Sequence, residues 1–424
     1  MNESNSKEHP LSWVRMFQRK LYCAAKSSKN RRFGVLYDKV CSEKVLEEAW
    51  KRVSRKNGCC GVDKCTIDAV KREYGVSEFL LEIQNELKSE SYKPNLIQRV
   101  YIPKANGKDR PLGIPTVKDR VVQMAVKLII EPLFECDFLD CSYGFRPKRS
   151  NRQAVTETHR QINTRKWVVD LDLKGYFDSI PHEELMKHVS RRVGDSRVLG
   201  LIRQWLTAGI MEEGQIRNVL SGTPQGGVLS PLLSNIYLHE FDRKWDWRDG
   251  VLIRFADDMV ILCGSEERSM RAMERAKELL DGLKLTLNEE KTHSCHIKDG
   301  FDFLGFTFRE AYSQKRKKLV RIKYPKKSNK KAVCAKIKDA VKSMLTGALI
   351  SEVIAKVNRK LRGWANYFKI GNSYETALSI SNYACEQLRI FWRRRKQRKN
   401  IRGTNTWMNS YFYEKGLYYV PHLL

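Results

Sequence analysis

At 424 residues, with 42% apolar and 30% charged side chains, the chain is long enough for about three domains and too apolar for wholesale disorder. A formal charge of +30 predicts a polyanionic partner, nucleic acid ahead of an anionic membrane surface. Eleven cysteines without a Cys-x-x-Cys couple exclude a disulfide scaffold and a structural zinc module, and with no basic-then-apolar leader and no spanning apolar run, a cytoplasmic protein is expected, neither exported nor inserted in a membrane.

In chain order, a basic segment of mixed polarity over 13–32 precedes a helix over 42–56, where Leu46, Ala49, Trp50 and Val53 recur at helical spacing. A second helix is predicted over 77–89. A strand over 96–103 then runs into the turn 104–108. The centre alternates: a strand over 167–173, helices after Pro181 and Asp195, strands around 252–263, a helix over 265–282 and a strand over 301–308, together an α+β core. Beyond Ala311 a basic stretch, 315–331, leads into helices, one near 351–370. From Ala311 to Leu424 stand 27 Lys and Arg against 5 Asp and Glu, a net +22 of the total +30.

The chemistry is carried by acids in apolar surroundings. The segment Arg254-Phe-Ala-Asp-Asp-Met-Val-Ile-Leu262 sets Asp257 and Asp258 between two apolar half-strands, the pattern of a hairpin tip; a solvated β-turn has the same pattern. Upstream, Trp167-Val-Val-Asp-Leu-Asp-Leu-Lys-Gly-Tyr-Phe-Asp-Ser-Ile180 reads as a buried strand ending in acids, which are costly there unless they meet a cation or donors. Nucleotidyl transfer needs two divalent ions a few ångströms apart, held by carboxylates that converge from different strands.

At these residues the chain resembles the reverse transcriptase family. The resemblance continues in order through Arg110-Pro-Leu-Gly-Ile-Pro115, Ser142-Tyr-Gly-Phe-Arg-Pro147, Gly222-Thr-Pro-Gln-Gly-Gly-Val-Leu-Ser-Pro231, Leu287-Asn-Glu-Glu-Lys-Thr292 and Phe303-Leu-Gly-Phe306. It implies a right-hand polymerase: fingers and palm of antiparallel sheet plus helices, and a helical, basic thumb. The corresponding divisions are an N-terminal extension over 1–40, an N-terminal block and fingers over 41–165, a palm over 166–310, a thumb or maturase domain over 311–400 and a tail over 401–424.

The same resemblance implies the site. Asp172, followed five residues later by the aromatic Phe177, stands as the first metal ligand, joined by the Leu173 carbonyl and by Asp257 and Asp258 around two Mg²⁺, with Mn²⁺ as the alternative. Asp170 and Asp178 are supporting acids. Lys104 and Arg110 clamp the triphosphate of an incoming dNTP, Lys291 lies near the leaving group, and Gln225 reaches the nucleotide from a glycine-lined turn. Phe177 fills the space a ribose 2′ hydroxyl would need. Phe303, Leu304 and Gly305 grip the primer end. A metal site at Thr292-His-Ser-Cys-His296 is set aside, because strand alternation points His293 and Cys295 away from His296.

In Arg359-Lys-Leu-Arg-Gly-Trp-Ala-Asn-Tyr-Phe-Lys369, Leu361, Trp364, Tyr367 and Phe368 share one helical face, expected to be core; Arg359, Arg362, Asn366 and Lys369 share the other. With Arg393, Arg394 and Arg395, that basic face is expected to meet nucleic-acid backbone. The stretch is similar to the thumb, or maturase, region of group II intron proteins. The resemblance implies template and intron RNA, a DNA primer or target and dNTPs as partners, with a homodimer left open. No Cys-pair and His-Asn-His nuclease module follows, so the endonuclease-lacking kind is expected. A mainly RNA-binding splicing cofactor, and a domesticated relative in host or phage defence, remain the other readings.

Overall fold

The computed structural model describes residues 12–56, 58–103, 109–212, 215–217, 221–223, 226–395 and 407–424. Helices α1 (Trp13–Ser27), α2 (Glu43–Ser54) and α3 (Val76–Lys88) lead the chain. In α2 the periodic positions Val45, Leu46, Ala49, Trp50 and Val53 are all buried, as a one-faced helix requires. Strands β1 (Ile97–Pro103) and β2 (Asp109–Ile114) form an antiparallel hairpin. It feeds α4 (Val117–Glu135), which is apolar around most of its circumference and against which α1 and α2 pack. Thr116 caps α4, its hydroxyl accepting from the Asp119 amide at 3.1 Å.

Next come α5 (Asn151–Gln161), β3 (Trp167–Leu171), the single turn α6 (Tyr176–Ser179), α7 (His182–Ser190) and α8 (Ser196–Thr207). Two short strands, β4 (Ile210–Glu212) and β5 (Gln215–Arg217), extend the β1–β2 hairpin into a sheet of order β2-β1-β4-β5, in which β1 and β4 run parallel. The buried helix α9 (Ser230–Lys244) then precedes β6 (Val251–Phe255), β7 (Asp258–Cys263), α10 (Glu266–Asp281) and β8 (His293–His296).

A second sheet, β6-β7-β3-β8, is antiparallel throughout and pairs Asp170 with both Val260 and His293. Its side chains alternate between two cores. Val169, Leu171, Met259 and Ile261 face the helices α4 and α7 to α10. Val168, Val260, Leu262 and Ile253 face the C-terminal part. Asp170 has the parity of Val168 and therefore belongs to the C-terminal face.

The expected strand over 301–308 is two strands, β9 (Phe301–Phe303) and β10 (Phe306–Ser313), reversed at Leu304 and Gly305 with φ of +47° and +79°. The basic stretch expected to lead straight into helices first forms β11 (Lys318–Pro325), antiparallel to β10. Lysines and arginines alternating with Val320, Ile322 and Tyr324 make a strand whose period is masked by its charge. Helices α11 (Lys327–Lys342), α12 (Ile350–Phe368), α13 (Tyr374–Arg395) and α14 (Asn409–Glu414) complete the C-terminal part.

Between the two cores lies a fully buried ion pair: Arg254 of β6 meets Asp242 of α9 at 2.5 Å, both side chains at 0% exposure. Its Nη1 also donates to Asn235 Oδ1 and to the Ala256 carbonyl, at 3.1 and 3.0 Å. Arg254→Met leaves Asp242 buried without its cation and is expected to cost about 3–5 kcal/mol. Adding Asp242→Leu should recover part of that loss; urea unfolding of the single and double variants measures both.

Candidate active site

Two backbone reversals present the acids. Ala256 adopts φ +60° at the β6–β7 turn, placing Asp257 at the tip and Asp258 as the first residue of β7, where it pairs with Phe255. A non-glycine residue in the left-handed region is strained, and the Arg254 guanidinium on the Ala256 carbonyl holds it there. Behind the turn Gly144 packs so closely that an added Cβ would lie 2.3 Å from the Ala256 nitrogen; the Gly144 carbonyl accepts from Asn235 Nδ2 at 2.8 Å. The Ser142–Pro147 block thus acts as the backing of the acidic turn.

Asp172 follows the end of β3. Its carbonyl accepts the Asn288 amide at 2.8 Å, and its Oδ2 accepts from Asn288 Nδ2 at 3.1 Å and Lys291 Nζ at 2.9 Å. Leu173 bridges to Leu287, so the 287–292 block lies along the acids. Burial, then the charges of Asp257, Asp170 and Asp172, push Asp258 up to about 6. Burial likewise raises Asp257, opposed by Arg110 and reinforced by Asp172. Asp170 is pushed up to about 6 by burial, eased by His293. The acids of the two segments therefore feel one another across β3 and β7. Among the described residues no group of three or more carboxylate, imidazole or thiol side chains is gathered as a ready-made metal site.

Phe177 is buried on α6, edge-on to Tyr176 at 5.4 Å, and its carbonyl accepts the Thr223 amide at 2.6 Å. Gly222 has φ +92°, and a Cβ there would lie 2.7 Å from the Phe177 carbonyl oxygen, so the glycine lets the 222–223 strap close over α6. Arg110 opens β2 within electrostatic reach of Asp257. Lys104 and Gln225 lie outside the described residues.

Phe303 is buried, while Leu304 and Gly305 form the β9–β10 turn. On α12, Arg359, Arg362, Asn366 and Lys369 are all exposed, opposite buried Leu361, Trp364 and Phe368. Tyr367 departs from the expected core: it is 37% exposed, because its ring lies at the edge of the apolar stripe beside the β9–β10 turn. Arg394 is exposed; Arg393 lies 3.7 Å from Glu386, and Arg395 donates to the Ala348 carbonyl at 2.7 Å. His293 and His296 gather no third ligand, and His296 packs edge-on to Trp167. The sequence reading missed Asn288, although it stands inside a block quoted for the resemblance, and gave Arg254 no role.

A sheet bearing acids at a hairpin tip and at a neighbouring strand end, flanked by a strand hairpin and a basic helical part, defines a palm-type nucleotidyl polymerase. Comparisons narrow the class. The family described as "Reverse transcriptase (RNA-dependent DNA polymerase)" matches residues 102–308, and "Group II intron, maturase-specific domain" matches 330–412. Protein YkfC of Escherichia coli (strain K12) is 39% identical over 282 residues, 56% of this chain and 74% of YkfC. Group II intron-encoded protein LtrA of Lactococcus lactis subsp. cremoris is 30% identical over 385 residues, 70% of this chain and 64% of LtrA, so the chain spans just under two thirds of that relative. An uncharacterized 91 kDa protein in the cob intron of Schizosaccharomyces pombe is 38% identical over 161 residues, 38% of this chain and 20% of that protein.

The chain belongs to the reverse transcriptase family, among the members that carry a group II intron maturase domain. It is accordingly an RNA-directed DNA polymerase that binds RNA, and it carries a match to the maturase-specific domain of group II introns; enzymes of this family use divalent metal ions. No described helix is long and apolar enough to cross a membrane.

The crowding of carboxylates has a thermodynamic signature. A carboxyl raised from the ordinary 3.8 to about 6 in the folded protein binds protons more readily there than when unfolded. Its contribution to stability therefore falls as pH rises through that window, and the full penalty is felt above it. Asp258→Asn should raise the urea midpoint of the metal-free protein at pH 7, with the gain vanishing below pH about 4; an unchanged or lowered midpoint at pH 7 contradicts the crowding.

Proposed function

We propose that this reverse transcriptase extends a DNA primer along an RNA template at Asp172, Asp257 and Asp258. The observation that carries the reading is that the charge of Asp172 acts on both Asp257 and Asp258, although the two segments lie about 85 residues apart in the chain. An oxygen-only donor set in which burial and neighbouring carboxylates raise Asp257 and Asp258 suits a hard divalent cation, which relieves the repulsion that protonation otherwise relieves. The three carboxylates and the Leu173 carbonyl would hold two Mg²⁺, with Lys291 yielding its place on Asp172. When bound, the ions supply activation of the primer 3′ oxygen and neutralisation of the departing pyrophosphate.

The chain's own residues do the rest. Arg110 and Lys104 bind the triphosphate, with Arg110 offering a bidentate fork. Lys291, freed from Asp172, stands beside the leaving group, and Gln225 orients the nucleotide. The Phe177 ring denies room to a 2′ hydroxyl, so deoxynucleotides are selected by exclusion. The exposed side of α12 and Arg394 contact RNA backbone, and Phe303, Leu304 and Gly305 hold the primer end. Division into fingers, palm and thumb at residues 165 and 310, and residence in a reducing cytoplasm, belong to the same proposal; all eleven cysteines are free thiols.

Asp257→Ala should lower primer extension on an RNA template by roughly three orders of magnitude, while splicing of a cognate intron RNA by the same protein stays within about twofold, since backbone contacts on the thumb are untouched. Undiminished extension would discard the acid assignment, and parallel loss of splicing would discard the separation of the two activities. Phe177→Ala should raise the relative kcat/KM for ribonucleotides on the order of tenfold or more; an unaltered sugar preference removes the gate from Phe177.

A further inference from the structure

We propose that Tyr367 and Asn329 are positioning residues that tie the thumb to the β9–β10 turn, and that the open face of the Tyr367 ring seats the nucleotide at the primer's 3′ end. The inference rests on the polymerase reading and deepens it.

The turn consists of two consecutive residues in the left-handed region, Leu304 at φ +47° and Gly305 at +79°. Such a tight reversal at an exposed edge ordinarily leaves its carbonyls to water. Here both are taken by the C-terminal part. Leu304 O accepts from the Tyr367 hydroxyl at 2.9 Å, from the last turn of α12. Gly305 O accepts from Asn329 Nδ2 at 2.8 Å and from the Lys326 amide at 3.0 Å, at the start of α11. The fit leaves no space, because a Cβ on Gly305 would come within 2.9 Å of Asn329 Nδ2. Two thumb helices therefore fix one short piece of palm backbone, and a displacement of either helix is transmitted to the turn.

Tyr367 does more than donate. Its ring stacks on Phe306, with centroids 5.9 Å apart and planes 19° apart, and meets Phe368 edge-on at 4.8 Å, yet 37% of the residue stays exposed. One face is thus supported by the core while the remainder is open. The hydroxyl lies on the Leu304 carbonyl, is hydrogen-bonded by Asn151 as well, and is within electrostatic reach of Asp258. Nearby, Arg152 donates to the Asn366 carbonyl at 2.8 Å, so the start of α5 braces the same turn of α12. A rigidly backed aromatic face beside the acids is a stacking platform that accepts any base or sugar, as a polymerase needs for a primer end of every sequence.

The test compares the parent with Tyr367→Phe, Tyr367→Ala and Asn329→Ala in three measurements: dissociation of a DNA primer annealed to an RNA template, dNTP KM in extension, and binding of unprimed single-stranded RNA. Tyr367→Phe keeps the ring and loses the donor, so primer–template should dissociate about fivefold faster. Asn329→Ala should have a similar effect, and Tyr367→Ala should add a further fivefold or more through the lost stack. In each case dNTP KM and unprimed RNA binding should stay within about twofold. Parental dissociation in Tyr367→Ala overturns the inference, and so does equal weakening of primed and unprimed RNA in Tyr367→Phe, which marks a plain structural role. A parent that makes no DNA overturns the polymerase reading and this inference together; an active parent with unaltered variants retires this inference alone.

Discussion

The site depends on one guanidinium. Arg254 is enclosed completely, and it spends its donors on Asp242, Asn235 and the carbonyl of Ala256. The first partner neutralises it, the second ties it to α9, and the third sets the left-handed residue from which the two acids hang. Arginine suits this position where lysine would not, because a planar fork serves three acceptors in fixed directions. The acids are thereby placed by the interior, and the flexible surface has no part in setting their spacing.

Electrostatics divides the molecule into zones. Like charges collect at the β3 and β7 ends, where Lys291, Arg110, Arg254 and Lys326 are among the nearby cations. Positive charge instead dominates the last quarter, at net +22, and among the described residues Lys331, Lys336, Lys338, Arg359, Lys360 and Arg362 stand exposed on α11 and α12. In the proposed function the acids hold the cations and the basic surface meets the polyanion. Some basic groups of the last quarter serve architecture instead: Arg395 holds a backbone carbonyl and lies over Trp392, and Arg321 pairs with the nearly buried Glu310 at 3.0 Å.

Local pattern was legible where one physical signal dominated. Helix α2, the acidic hairpin of β6 and β7, and α12 emerged near their observed bounds because apolar spacing alone defines them. Helix α4 shows no period because it is apolar around most of its circumference, and α9 shows none because its buried sides mix Ser234, Asn235, Glu240 and Asp242 with its apolar residues. The β9–β10 reversal was hidden by phenylalanines alternating with Asp302 and Thr307 on both sides of Leu304 and Gly305, and β11 by its lysines. At the site, the identities of the acids followed from family blocks in order. What held them did not: Asn288 reaches Asp172 from 116 residues away, and Asp242 meets Arg254 through a helix whose contacts only folding reveals.

The shared sheet has a consequence for how the protein is made. Its two faces belong to different cores, and the strands that build it are all present once the ribosome has reached residue 296. One face can be covered at once by helices already synthesised. The other, with Val168, Ile253, Val260 and Leu262, is covered in part by α5 and for the rest waits for β9 to α13. During that interval a nascent chain carries an oily, strand-edged surface that invites mispairing with its neighbours. The late, positively charged segment therefore acts as the cover that makes the catalytic half soluble, which binds the fate of the polymerase to the translation of its RNA-binding part.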